Sequence, residues 1–497
     1  MRNLKMIKAI AFVTGVAMIS ACGEMLDCIE PQCVADQIYH GPTQQKPIHV
    51  EKVNMYVGAY GWGAFKTSLP PTALPPAPHP VSFDKAYLEV QENGMLFDKR
   101  QLEVILERIG HLENAKRPIF VFTYAHGWHH NASTPHVKSE EEGLGYNAIK
   151  FDYFMARFAE HVRRLYELNG DDNSPLTLGI YIGWRGKSTT DPLANMINVG
   201  NRADTADVIG LKRGEGSLFD ALDKISTRLR DTGPSARMIA SGHSLGGRMM
   251  SRMFLKELAE GRPRPLGPQT LIAAIEPAIS AACFDDVFKT ASTGKPSGDL
   301  PSFIAITSKD DIAVVDGFRL GHLAPSLDPW RCDEKSAARN SALGVYAPYV
   351  THIWHFAPDG YDNKMLEKTG CSPPKLGRDP EWLFREGQSS WAYPYLDHSL
   401  EAPCPNKGGN YSGDAMVYKL NVEYPKDGYK NPAAVWNVKT DKNLIYAAGD
   451  KGTNVGDQHN GFSSTGLADM LGRIAYAQVR WQAEGAGTTM PEPKARP

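Results

Sequence analysis

The stretch "ARMIASGHSLGGRMMSRMF", Ala236 to Phe254, concentrates the chemistry of this chain. It sets Ser244 between Gly242 and Gly246, straight after an apolar run and straight before a helix-like one. A serine alcohol is a poor nucleophile unless it is exposed on a fixed support beside a base. A sharp turn from strand to helix is such a support. It strains the serine backbone and leaves no room for side chains two residues to either side, which accounts for both glycines. The helix that follows would also point its first N–H groups at negative charge developing beside the serine. Gly-x-Ser-x-Gly occurs once in the chain, with the strand before it and the helix after it that the chemistry needs.

"GHSLGG" (Gly242 to Gly247) resembles the nucleophile elbow of the α/β-hydrolase superfamily, in the form common among lipases and esterases. By element order the resemblance extends from about Val53 onward, although its specific motifs are a few short stretches. It implies an eight-stranded, mostly parallel sheet and a catalytic serine, acid and histidine in that chain order. "VFTYAHGWHHNAS" ends an apolar run in His126-Gly127, similar to the lipase His-Gly motif; on that match Trp128 and Leu245 supply the oxyanion-hole N–H groups. For the acid, "SFIAITSKDDIAVV" places Asp310 and Asp311 directly after a strand, where a carboxylate can orient a histidine. The strand-Ser-x-x-Asp-x-Ala pattern associated with bacterial hydrolases of this type selects Asp311. Asp310 is the close alternative, and Glu276 a distant one.

The base belongs on the loop before the last helix. Among His322, His352, His355, His398 and His459, only His459, in "GDQHNGFSS", follows the last strand candidate ("NLIYAA") and precedes the closing helix. "THIWHFAP", with His352 and His355, reads as core or pocket wall. Two other readings fall away. His126, His129, His130 and His136 lie close together, but without a His-x-x-x-His pair on a helix or an interleaved acid they read as a polar loop rather than a metal site. "GWRGKSTT" suggests a phosphate loop, yet the glycine required five residues before Gly186 is Tyr181, so "IGWRG" reads as a strand end beside the serine.

The elements that must position these residues alternate along the chain. "AYLEV", "PIFVFTYA", "LTLGIYIGW", "ARMIASG", "TLIAAIEPAI" and "SFIAITS" are continuous apolar runs, and helical patterns follow the first four. Buried strands separated by helices predict an α/β protein whose mostly parallel central sheet is flanked by helices, with sites at the carboxyl ends of the strands. The hydrolase core is expected over 53–358 and 434–485. A Pro-, Gly- and Tyr-rich insert over 359–433 precedes the last strand, long enough to be a lid or subdomain. The proline-rich run Ser68 to Pro80 reads as a stiff surface excursion.

The chain of 497 residues, 42% of them hydrophobic, is long enough for one large core or two ordinary domains. Its net charge of −2, without a basic run, excludes an electrostatic case for nucleic acid. Residues 1–21 read as a signal peptide, and Ile19-Ser20-Ala21-Cys22 resembles the bacterial lipobox, which implies a lipidated Cys22 on a tether over 22–52. Gly23 in the next position favours the outer membrane. Residues 486–497 read as a flexible tail. Of the seven cysteines, the six after Cys22 fit disulfides in an exported chain, with sequence neighbours as the simplest pairing. The expectation is a carboxylesterase or lipase working through an acyl-enzyme, needing neither cofactor nor metal. Its partners would be a small-molecule or lipid ester and, through the lipid anchor, the membrane. Amides or thioesters use the same constellation. The rivals are a hydrolase-fold protein that only binds, and a sugar-binding insert using Trp382, Trp391, Tyr393 and Tyr395.

Overall fold

Successive residues of a strand face opposite sides of a sheet, and the apolar runs fill both sides. Phe120, Phe122 and Tyr124 enter one core while Ile119, Val121 and Ala125 enter the other. Ile304 and Ile306 divide from Phe303 and Ala305 in the same way. The protein, seen here in a computed structural model, is therefore a three-layer α/β sandwich. The structure describes residues 48–56, 80–128, 130, 147–168, 173–186, 199–262, 264–293, 301–311, 313–317, 332, 336–359, 390–396, 417–423, 435–440, 444–445, 459 and 461–483.

In chain order the elements are β1 (Glu51–Tyr56), β2 (Pro80–Glu89), α1 (Lys99–Glu113), β3 (Ile119–Ala125), α2 (Asn147–Leu168), β4 (Leu176–Gly183), α3 (Val199–Leu211), α4 (Leu218–Thr232), β5 (Arg237–His243) and α5 (Leu245–Ala259). After these come β6 (Thr270–Ile275), α6 (Asp285–Thr293), β7 (Phe303–Ser308), β8 (His352–Asp359), β9 (Ser390–Leu396), β10 (Val417–Glu423), β11 (Val435–Thr440) and α7 (Thr465–Ala483). Capping side chains start two helices where the apolar period begins. Asp98 accepts from Arg100 N (2.9 Å) ahead of α1, and Ser217 accepts from Asp220 N (3.2 Å) ahead of α4.

The described strands form one sheet in the order β1-β2-β4-β3-β5-β6-β7-β11-β8-β10-β9. Eight consecutive strands, β2 through β8 in that order, are parallel. Antiparallel β1 closes one edge, and antiparallel β10 and β9 extend the other. Pro80, the end of the proline-rich run, is the first residue of β2, a position where its missing donor is tolerated. α2 and α7 cover one face; α1, α3, α4 and α5 cover the other. Arg237, fully buried at the start of β5, ties the sheet to α7 by donating to Gln478 O (2.6 Å).

Two sequence readings need correction. The last strand is Val435–Thr440, and "NLIYAA" is not it: Leu444 and Ile445 occupy a turn and are buried there against the α2/α7 face. An apolar run buried on a turn looks the same in sequence as one buried on a strand. "THIWHFAP", read as core or pocket wall, is indeed core at His352 and Trp354, and it forms the strand β8. The sheet also has eleven described strands rather than eight. Two of the additional ones, β9 and β10, come from the 359–433 insert, whose other residues lie outside the described part past Asp359. So do Cys22 with the rest of residues 1–47, and residues 484–497.

One disulfide, Cys283–Cys332, joins two sequence neighbours with Cα atoms 4.8 Å apart. The remaining cysteines lie outside the described residues. The bridge closes a segment of 49 residues that contains Asp311. Loop-closure entropy for that length is worth about 4 kcal/mol. Replacing both cysteines by serine should therefore lower the unfolding free energy by roughly 2–4 kcal/mol in urea. A loss within error of zero would show that packing alone holds this segment.

Candidate active site

The strand order reverses direction at β3 and β5. From β3 the chain moves outward to β4 and then returns to the other side to form β5. The helix after β3 packs on one face and the helix after β5 on the opposite face. The loops leaving these adjacent strands therefore diverge and open a crevice at their carboxyl ends. Ser244 sits there, between β5 and α5, with φ 55° and ψ −117°. A positive φ is strained for a non-glycine residue, by about 1–3 kcal/mol, and persists only where the surroundings dictate it. Here they do. Ser244 N donates to Ile275 O (3.0 Å), and Ser244 O accepts from Arg248 N (2.9 Å) and Ala278 N (3.1 Å).

The glycines permit this by close approach. A Cβ on Gly242 would lie 2.2 Å from Gly246 O, and one on Gly246 would lie 2.1 Å from Ala125 O. A side chain at either position would force the turn apart. Arg248, fully buried on α5, grips Asp207 of α3 through two hydrogen bonds of 2.7 and 2.6 Å and fixes the helix behind the serine. The first-turn N–H groups of α5, Leu245 among them, have no acceptor within the helix.

The His126-Gly127 loop backs directly onto the serine, since a Cβ on Gly127 would lie 2.9 Å from Ser244 Cβ. Trp128 follows in the turn and is half-buried. His126 is structural. Its Nδ1 donates to Gly127 O (2.9 Å) and its Nε2 accepts from Trp184 N (3.2 Å). Trp184 lies parallel to the imidazole, with centroids 5.5 Å apart, and its indole donates to His126 O (2.8 Å). The "IGWRG" segment is thus the strand end that braces this loop. Gly186 belongs to the brace, because a Cβ there would meet Gly127 O at 2.6 Å. Burial drives the His126 pKa down to about 4, so the ring is neutral near pH 7.

His459 and Asp311 complete the constellation. His459 Nε2 is 2.7 Å from Ser244 Oγ, and His459 Nδ1 is 2.7 Å from Asp311 Oδ2. A carboxylate only accepts, so Nδ1 carries the proton and Nε2 is free to take the serine's. The other Asp311 oxygen accepts from Ala313 N (2.9 Å) and Val314 N (3.2 Å), which fixes the carboxylate on the turn after β7. Asp310 is half-buried, and its backbone N–H binds Ser308 Oγ (3.2 Å); Asp311 is the member of the pair that reaches the imidazole. Ser244 and Asp311 are buried, whereas the His459 side chain is 17% exposed. Solvent thus reaches His459 and not Asp311.

Two further groups lie beneath this chain. His243 Nε2 donates to the His459 carbonyl (2.6 Å), so the residue before the serine also holds the base's backbone. Its position in "GHS" was the available clue, but nothing local in the sequence says that it faces His459. Burial, and then the charge of His459, push the His243 pKa well down. Glu276, directly after β6, has no exposed surface, and burial followed by the charge of Asp311 raises its pKa well above the carboxylate range.

His243, Glu276 and His459 each offer one ligand atom within a 4.8 Å cluster, the one such grouping among the described residues. Both nitrogens already have other work: His243 Nε2 donates to the His459 carbonyl, and His459 Nδ1 donates to Asp311. The arrangement suits proton transfer better than metal binding. His129, His136, His322 and His398 lie outside the described residues, and His352 is buried in β8, hydrogen-bonded to Thr351 Oγ1 (2.7 Å). The fold and site together define an α/β protein with a Ser–His–Asp chain at its topological switch point. No family model, curated protein or solved structure compared with the chain matches it.

The buried neutral histidines make stability depend on pH. Burial lowers the pKa of His126 from 6.5 to about 4 and that of His352 from 6.5 to about 3. Their folded values lie below the unfolded one, so the unfolded chain binds more protons. This contribution is complete above pH 6.5 and is lost as pH falls toward 4 and 3, by an order of ~3 kcal/mol or more per group. The melting temperature should drop steeply between pH 6.5 and 4, and His352→Asn should flatten that slope. An equal slope in the variant would remove His352 as a source.

Proposed function

We propose that the protein is a serine hydrolase of the α/β-hydrolase type that cleaves carboxylic esters through an acyl-enzyme. The observation that carries this reading is the unbroken chain from Ser244 Oγ through both imidazole nitrogens of His459 to Asp311, each link 2.7 Å. That spacing lies within the reach a general base needs.

In the proposed reaction Ser244 Oγ attacks the ester carbonyl while its proton passes to His459 Nε2. Asp311 stabilises the imidazolium without itself taking the proton. The backbone N–H groups of Leu245 and Trp128 receive the oxyanion, and each such donor is worth about 10²–10³ in rate. As the tetrahedral intermediate collapses, the alcohol leaves with the proton from His459. Water, deprotonated by the same imidazole, then attacks the acyl-serine and releases the acid. Every step uses groups of this chain. The reading includes attachment to a membrane, in the outer membrane, through a lipidated Cys22, on the strength of residues 19–22.

The first experiment compares the wild-type protein with Ser244→Ala on p-nitrophenyl esters of short and long acyl chains. Loss of at least about 10³-fold in kcat/KM with an unchanged melting temperature is expected, and the chain-length profile separates esterase from lipase. Equal inactivity of both proteins on esters, amides and thioesters would overturn the hydrolase reading in favour of a protein that only binds.

A further inference from the structure

Glu276 has no role in the mechanism above, yet its placement is costly and specific. It follows β6 with φ +46°, one of three non-glycine residues in the left-handed region among the described residues, alongside Ser244 and Lys116. Its backbone N–H donates to Ile306 O (2.7 Å), locking it beside the strand that leads to Asp311. The segment it belongs to also holds the serine, since Ile275 O and Ala278 N both bond to Ser244. Backbone strain of this kind gathers where a side chain must be aimed. The Glu276 carboxyl is aimed at the imidazoles: Oε2 is 3.7 Å from His459 Nδ1 and 3.4 Å from His243 Nε2. The carboxyl is also partnered by the Asp311 side chain, and the Ser308 backbone reaches it.

We infer that Glu276 is a reserve acid of the triad, a positioning residue that guards the second approach to His459 Nδ1 and takes over that nitrogen when Asp311 is lost. This rests on the reading of the site as a serine hydrolase. The nitrogen has one proton and two carboxyls converging on it; Asp311 wins because two backbone N–H groups hold it at 2.7 Å. Two adjacent buried carboxyls do not both ionise, and Glu276 is the one kept protonated, by burial first and the charge of Asp311 second. The ionisable groups around it are Asp311 after β7, His243 at the end of β5, His459 ahead of α7 and Tyr124 on β3. His243 and Tyr124 are buried and neutral near pH 7. With Asp311 removed, no anion opposes ionisation of Glu276, and a shift of about 1 Å brings Oε2 into hydrogen-bond range of Nδ1.

The test is a double-mutant cycle of Asp311→Ala and Glu276→Gln, reading kcat and KM on a p-nitrophenyl ester from pH 5 to 10 and the labelling of Ser244 by a fluorophosphonate. Alone, Glu276→Gln should lower kcat about 3-fold and leave KM unchanged. Asp311→Ala should lose about 100-fold, with kcat rising as pH rises through the ionisation of Glu276. The double variant should lose about 10⁴-fold, the cost of a triad without its acid, and lack that pH limb. A Glu276→Gln effect of equal size in both backgrounds, or an Asp311→Ala profile without the limb, would overturn the inference. If Asp311→Ala does not fold, Asp311→Ser carries the same cycle, because its hydroxyl oxygen can still accept from Ala313 and its side chain is too short to hold His459 Nδ1. Failure of the wild-type protein to label at Ser244 would instead count against the hydrolase reading itself.

Discussion

The turn at Ser244 is the constraint on which the rest of the site depends. A serine held at positive φ is stable only if neighbouring backbone dictates it, and that backbone comes from four directions. β5 supplies the strand, α5 the helix, the end of β6 and the segment after it one hydrogen bond each, and the loop after β3 the wall behind Gly127. Their approach is closer than any side chain allows, which explains the glycines at 127, 242 and 246 in one stroke. Parallel pairing of β3, β5 and β6 brings these loops to the same edge of the sheet. The two cores then press the diverging helices against opposite faces and leave the crevice between them.

Above that turn the site is a largely buried cluster of titratable groups. Buried carboxyls and imidazoles crowd within a few ångströms, and burial sets most of their protonation states. Neutral His126 and His243 serve as rigid hydrogen-bonding struts, one for the His-Gly loop and one for the backbone of His459. His459 is partly open to solvent while Ser244 and Asp311 are covered. An imidazole placed in this way can exchange protons with water, and the carboxylate orienting it stays in low dielectric, where its interaction is stronger.

Much of this was legible in the residues. The period of the apolar runs gave the central strands and their helices, because burial on both faces leaves a continuous hydrophobic signature. Gly242, Ser244 and Gly246 mark their turn locally, since the steric demand that selects them lies within five residues. Other elements carried no such mark. β8 was hidden in an aromatic stretch, and "NLIYAA" imitated a strand because burial, not backbone form, selects its residues. The antiparallel pair in the insert has partners set by distant residues rather than by its own pattern.

By itself, then, the sequence determined the layered α/β class, the turn at Ser244 and a short set of candidate partners. Only the tertiary structure decided among the candidates. It brought Asp311 and not Asp310 to the imidazole, placed His459 at hydrogen-bond distance from a serine 215 residues away, and aimed Glu276 and His243 at the same ring. The physical reason is range. A turn or a strand is fixed by sterics between near neighbours, which residue types record directly. A chain of hydrogen-bonded side chains is fixed to tenths of an ångström by the register of a sheet and the packing of loops far apart in the chain, and no local pattern encodes that.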